Sequence, residues 1–230
     1  MGGCKYKLLK RVPSGRLLYR RVAIVSDRGI KRWPDLEALV ASADRLIGLY
    51  LNADVGDISA IAHLTALREL HITNYSSGGF DLSGLPKLDH LWLHVGPDRP
   101  IVPGGGEVLR SLVLLRCSTP WSDWIEGLPR LASLELYQAR SYPRRFPESL
   151  ERLEISGIRG WDHARIFAGP ADLKELCLSD VRGMVDLSAF SFARRLQRLV
   201  MEDCVELDSI GEVGLAPGCV VRRIGRTPGR

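Results

Sequence analysis

The sequence predicts a solenoid of short parallel strands in the α/β class, and three observations lead there. First, the pattern L-x-x-L-x-L occurs eight times, beginning at Leu46, Leu67, Leu88, Leu109, Leu131, Leu150, Leu173 and Leu196, at spacings of 21, 21, 21, 22, 19, 23 and 23 residues. Second, all 24 pattern positions are aliphatic: 21 leucines, Ile72, Ile155 and Met201. Third, apolar positions 4 and 6 of each copy alternate with positions 3, 5 and 7, which is the period of a strand. A unit of this length cannot bury its apolar side alone, so stacked neighbours must bury one continuous spine.

Composition excludes several other classes. The chain has 230 residues, 45% apolar and 26% charged, as an ordinary globular protein does. No apolar run reaches the 18 or so residues of a spanning helix, and the N-terminus lacks the apolar stretch of a secretory signal, so a cytoplasmic location is expected. Cys4, Cys117, Cys177, Cys204 and Cys219 are odd in number and contain no CxxC, which argues for reduced thiols rather than a disulfide framework or a zinc finger. Arginine outnumbers lysine 26 to 6, a coding bias that points to a high-G+C bacterial genome. The formal charge of +5 is an average: residues 1–33 hold ten bases and one acid, 34–221 hold 18 and 26, and 222–230 add four arginines, so 9 − 8 + 4 = 5.

The elements follow in order. Residues 1–39 are expected to form an N-terminal cap, with a β-hairpin of 5–12 and 16–25 around Pro-Ser-Gly and the start of a helix spanning Pro34 to Arg45. Residues 40–216 make the solenoid. Its return segments (ISAIAHLTA, FDLSGLPK, WIEGLPR, HARIFAGPAD) read as helical or extended, with Gly-Leu-Pro stopping the chain before the next strand. Residues 217–230 supply a last strand near Cys219–Ile224 and a frayed tail.

Over residues 40–216 the chain resembles a leucine-rich repeat protein. The resemblance implies a horseshoe of about eight repeats with a parallel sheet on its concave face, where partners usually bind. The chain departs from that family at the ninth repeat position, usually Asn or Cys, which here reads Asp54, Tyr75, Gly96, Cys117, Ala139, Ile158, Val181 and Cys204. No asparagine ladder can form, and irregular, solvated turns are expected, with Cys117 and Cys204 as small buried fillers.

The candidate binding residues are those that the strand period turns toward the concave face. Tyr50, His71, Trp92, His94, Leu115 and Tyr137 make a cluster of aromatic and apolar groups with the composition of a binding hot spot. Glu135, Glu151, Glu154, Glu175, Asp180, Glu202 and Asp203 make an acidic second half, against Arg152, Lys174 and Arg198, that would attract a basic partner. The bland alternatives are that the hairpin or the loop 96–106 covers the aromatics, and that the acids only solvate the surface.

Enzyme readings find little to hold. GxSxG, HExxH and the phosphate loop are absent, and Gly104–Gly106 sit in a Pro-rich excursion that reads as a loop or a lip on the binding face. His71 lies diagonal to His90 and His94, so two of them could share a metal, but a site normally needs three or four ligands, and His90 and His94 are about 13 Å apart along one strand. Cys177 has no neighbouring His to activate it. MGGC suggests acylation, yet Tyr6 stands where myristoylation wants Ser or Thr. The basic head, with Tyr6, Tyr19 and Trp33, is either a nucleic-acid or membrane-surface contact or a strand face docked on the acidic body, the reading we favour.

The expected function is therefore a non-catalytic protein-binding module without cofactor or metal. Within that class, an immunity or inhibitor protein neutralising a basic enzyme or toxin is a narrower possibility. A nucleic-acid or membrane-surface adaptor is the rival class.

Overall fold

The computed structural model describes residues 7–9, 21–25, 37–77, 81–94, 104–117, 119–159, 167–184, 186–204 and 213–225. The chain divides into two compact units, Met1–Arg110 and Ser111–Arg230. The first contains β1 (Lys7–Leu9), β2 (Arg21–Val25), α1 (Glu37–Val40), β3 (Gly48–Asp57), β4 (Glu69–Ser77) and β5 (His90–His94). The second contains β6 (Ser111–Leu115), α2 (Thr119–Glu126), β7 (Ser133–Tyr137), β8 (Arg152–Arg159), β9 (Glu175–Arg182), β10 (Leu196–Glu202) and β11 (Leu215–Ile224). Within each unit the strands pair in chain order and in parallel, so each is a parallel β-solenoid.

The repeat sets the register. Leu49 aligns with Leu70 and Leu70 with Leu91, while Leu134 aligns with Leu153 and Leu153 with Leu176. All of the pattern positions are buried, none more than 3% exposed. Positions 4 and 6 point into the core and positions 3, 5 and 7 lie on the other face, as in the alternating burial of β6 and β7. Backbone bonds extend the ladder ahead of each strand: Asp89 N donates to Arg68 O at 3.0 Å, and Lys174 N to Glu151 O at 2.8 Å.

A second buried column closes the core from the return side. Ile61 and Leu82 in the first unit, and Ile125, Phe146, Phe167 and Phe190 in the second, are at most 3% exposed. The ring centroids of Phe146 and Phe167 lie 5.3 Å apart, and those of Phe167 and Phe190 5.5 Å. Tilted aromatic contacts of this kind supply large apolar area at each layer.

Three expectations need correction. The α/β class overstates the helix, because the described residues contain only α1, of four residues, and α2, of eight. The other returns are 3-10 turns at Ser59–His63, Leu82–Gly84 and Ser188–Phe190, or extended. A 21-residue repeat that spends five or more on a strand leaves too few for an α-helix and two turns, and a 3-10 turn covers about 2.0 Å per residue against 1.5 Å. The N-terminal hairpin is not formed either: β1 and β2 pair in parallel, Lys7 with Val22 and Leu9 with Ile24, so they extend the solenoid instead of folding antiparallel. The helix expected from Pro34 to Arg45 is α1 alone, followed by turns to Arg45, while residues 26–36 lie outside the described ones.

The last strand is longer than expected. β11 runs from Leu215 to Ile224 and pairs with β10 across a register shift, after which Arg198 aligns with Val220 and Glu202 with Ile224.

Candidate functional site

In the first unit, position 5 of three repeats forms an aromatic ladder. Tyr50 aligns with His71 and His71 with Trp92, because each occupies the same repeat position on β3, β4 and β5. The Tyr50 and His71 centroids are 4.1 Å apart at 43°, and the His71 and Trp92 rings stack at 3.8 Å and 13°. These residues were expected to be exposed. They are instead half-buried, with Tyr50 against His71 and His71 against Trp92. His71 carries a buried Nε2 without a hydrogen-bond partner, and burial lowers its pKa to about 4, so the imidazole is neutral at pH 7.

Position 3 of this unit holds an ion pair that spans two strand spacings. Arg21 on β2 reaches over β3 to Glu69 on β4, with Nη2 to Oε1 at 2.6 Å and Nε to Oε2 at 3.0 Å. Gly48 is what lets it pass, since a Cβ there would lie 2.9 Å from Arg21 Cγ. A base of the N-terminal segment is thus docked on an acid of the body, in line with the intramolecular reading. Tyr6, Tyr19, Trp33 and the tail from Arg226 lie outside the described residues. His90 pairs with Asp89 at 2.7 Å, and His94 is half-buried at position 7 of β5. Among the described residues no group of three or more His, Cys, Asp or Glu is placed to hold a metal.

In the second unit the structure brings Glu135, Tyr137, Glu154 and Glu175 around Arg152. Glu135 and Glu154 face each other directly across β7 and β8, a like-charge pairing that is unfavourable unless offset. Two groups offset it. The Tyr137 hydroxyl reaches Glu135 Oε2 at 3.0 Å and Glu154 Oε1 at 2.8 Å, and having one hydrogen it donates to one at a time. Arg152 Nη2 bonds Glu154 at 2.8 Å and lies 3.7 Å from Glu135, while Nη1 lies 3.8 Å from Glu175. Burial and the two glutamates push the Tyr137 phenol well above its ordinary value, and the Glu154 bond raises that of Arg152, so both keep their protons. Three carboxylates stand against Arg152 and against Arg198, which aligns with Glu175 on β10, and leave a surplus of one negative charge.

The remaining expected residues are not part of that cluster. Leu115 aligns with Tyr137 at position 7, one strand away. Glu202 is exposed at the same position on β10, and Asp180 stands past the end of the row, 3.6 Å from Arg182. Lys174 is taken by Glu151 at 2.7 Å. Cys177 aligns with Glu154, and burial, then that carboxylate, raises its thiol pKa, as an inert thiol requires. Cys117 is fully buried and its thiol is pushed up to about 12. Cys204 is half-buried, with Sγ 3.6 Å from Leu178 O and 3.5 Å from Glu202 O. Gly104 and Gly105 dock on the return side, Leu82 N donating to Gly104 O at 2.9 Å, so the described end of the excursion is no lip on the face. Residues 95–103 lie outside the described ones.

Sequence reasoning missed the central role of Arg152 and the Arg21–Gly48–Glu69 bridge, although positions 3 and 5 of neighbouring repeats, read together, put opposite charges side by side. No protein-family model matches the chain, and no curated protein does.

Proposed function

We propose that this chain is a non-catalytic leucine-rich repeat protein that holds a protein partner against the face formed by positions 3, 5 and 7 of its strands, which corresponds to the concave face of that family. The observation that carries the reading is the Glu135–Glu154–Glu175 cluster around Arg152 and Tyr137. Its side chains are fixed by mutual hydrogen bonds, so little ordering entropy is lost on binding, and its surplus negative charge suits Lys or Arg of a partner. By itself, the Tyr50–His71–Trp92 ladder of the first unit offers rigid, flat apolar surface of the kind that anchors an interface.

The surplus charge also favours a basic partner, and with it the narrower reading of an immunity or inhibitor protein acting in the cytoplasm on a basic enzyme or toxin. The nucleic-acid or membrane-surface reading is weaker, because Arg21 of the basic segment is already engaged by Glu69.

The test is affinity capture from the native host lysate, comparing the wild type with Tyr50→Ala/Trp92→Ala/Tyr137→Ala and with Glu135→Gln/Glu154→Gln/Glu175→Gln. Both variants are expected to lose the captured protein. An unchanged captured set in both sinks the reading.

A further inference from the structure

We propose that the outer edge of β11 accepts an extended, acidic segment of a partner protein by strand addition. β11 is the last strand in the order of its sheet, and among the described residues no strand pairs with its outer side. Asp203 N donates to Ile224 O at 2.8 Å, which turns the backbone of Ile224 toward β10. Strand alternation then turns Arg222 and Val220 the same way and directs the N–H and C=O of Cys219, Val221 and Arg223 outward. A row of such groups is a template for another strand.

Edges are normally blunted by charge, proline or a bulge. Here Pro217, Gly218 (φ 78°) and the register shift blunt only the start of the strand. The stretch Cys219–Ile224 is regular, about 20 Å long, and unusually apolar for an edge: Val220 is 58% exposed, Val221 41% and Ile224 38%.

Its chemistry selects the occupant. Arg222 and Arg223 are both exposed and lie on opposite faces of the strand. A second copy of β11 would set these arginines against their equals, whereas a segment with adjacent acids between β-branched residues meets both arginines and covers the valines. Arg198 on β10, aligned with Val220, adds to the positive side, and Glu202, aligned with Ile224, marks its limit.

The experiment titrates the full chain with the blocked peptide Thr-Val-Val-Glu-Glu-Val-Thr, with its Lys-for-Glu version, with a copy N-methylated on alternate amides, and with oligo-dT. The acidic peptide is expected to bind and to shift the Val221 and Arg223 amide resonances. The Lys version, the N-methylated copy and oligo-dT are each expected to bind at least tenfold more weakly. Val221→Pro, whose lost N–H faces away from β10, is expected to weaken the acidic peptide about tenfold with the circular dichroism retained. Glu135→Gln/Glu154→Gln/Glu175→Gln is expected to bind it as the wild type does, which separates this edge from the sheet face. The proposal is overturned if the acidic peptide does not bind, if the N-methylated copy binds equally well, or if oligo-dT matches it. The N-methylated comparison decides the matter even if Val221→Pro fails to fold.

Discussion

Arg116, Gln138, Gly157, Asp180 and Asp203 occupy position 8 of five successive repeats, and all have positive φ, from 49° to 73°. Arg116, Gln138 and Asp203 follow directly on the ends of β6, β7 and β10, while Gly157 and Asp180 lie inside β8 and β9, which pair on past them; Arg116 N donates to Tyr137 O, and Gln138 N to Ser156 O, both at 2.8 Å and both at position 7 of the next strand. For residues with a Cβ this conformation costs about 1 kcal/mol or more, least for Asp. Arg116→Gly is therefore expected to raise stability by roughly 0.5 kcal/mol, and Gly157→Ala, whose Cβ would meet Gln138 Cγ at 3.0 Å, to lower it by about 1–2 kcal/mol in urea unfolding. The Gly and two Asp in this column were visible in the sequence, but Arg116 and Gln138 disguised the shared conformation. At His71 the unfolded imidazole takes a proton below 6.5 while the folded one stays neutral to about 4. The unfolded state then binds more protons in that window, so stability falls as pH drops from 7 toward 4. Partial exposure moderates the effect, and Tm is expected to fall by roughly 2–4 °C more from pH 7 to 5 in the wild type than in His71→Gln. Equal slopes would contradict the burial of His71.

The strands were legible and the returns were not, for a physical reason. Strand leucines are forced by burial on one face at period 2, and a repeat multiplies that signal. The returns are held by single side chains per repeat and by local turn chemistry. Even so, Phe146, Phe167 and Phe190 recur at 21 and 23 residues, the same step as the leucines, and Ile125 precedes Phe146 by 21. That column was readable once the period was known. Phe146→Ala should cost about 3–5 kcal/mol, since the ring is wholly buried between neighbouring layers. Gly84→Ala should also destabilise strongly, because its Cβ would fall 2.3 Å from Ala62 O, a backbone atom of the adjoining return. The Glu cluster was only half legible: the fifth-position column placed Glu135 beside Glu154, but which cation would neutralise them depends on side-chain reach, which alternation alone does not give.

Over the whole molecule the net charge of +5 conceals opposite regions, and the structure joins two of them through Arg21 and Glu69. A pI near 9.1 is thus no argument for nucleic acid. Titrating nonspecific DNA against salt is expected to give no steeply salt-dependent binding; a slope corresponding to several phosphate contacts would restore the adaptor reading. The central claim is that the outward sheet face holds a protein partner, and photo-crosslinking in the native host tests it most directly. A photoreactive residue at Ser156, on the face between Tyr137 and Ser179, should yield a discrete protein adduct. The same group at Glu148, exposed on a return, should not, and the Ser156 adduct should vanish with Glu135→Gln/Glu154→Gln/Glu175→Gln. No adduct at Ser156, or the same adducts from both positions, would contradict the account.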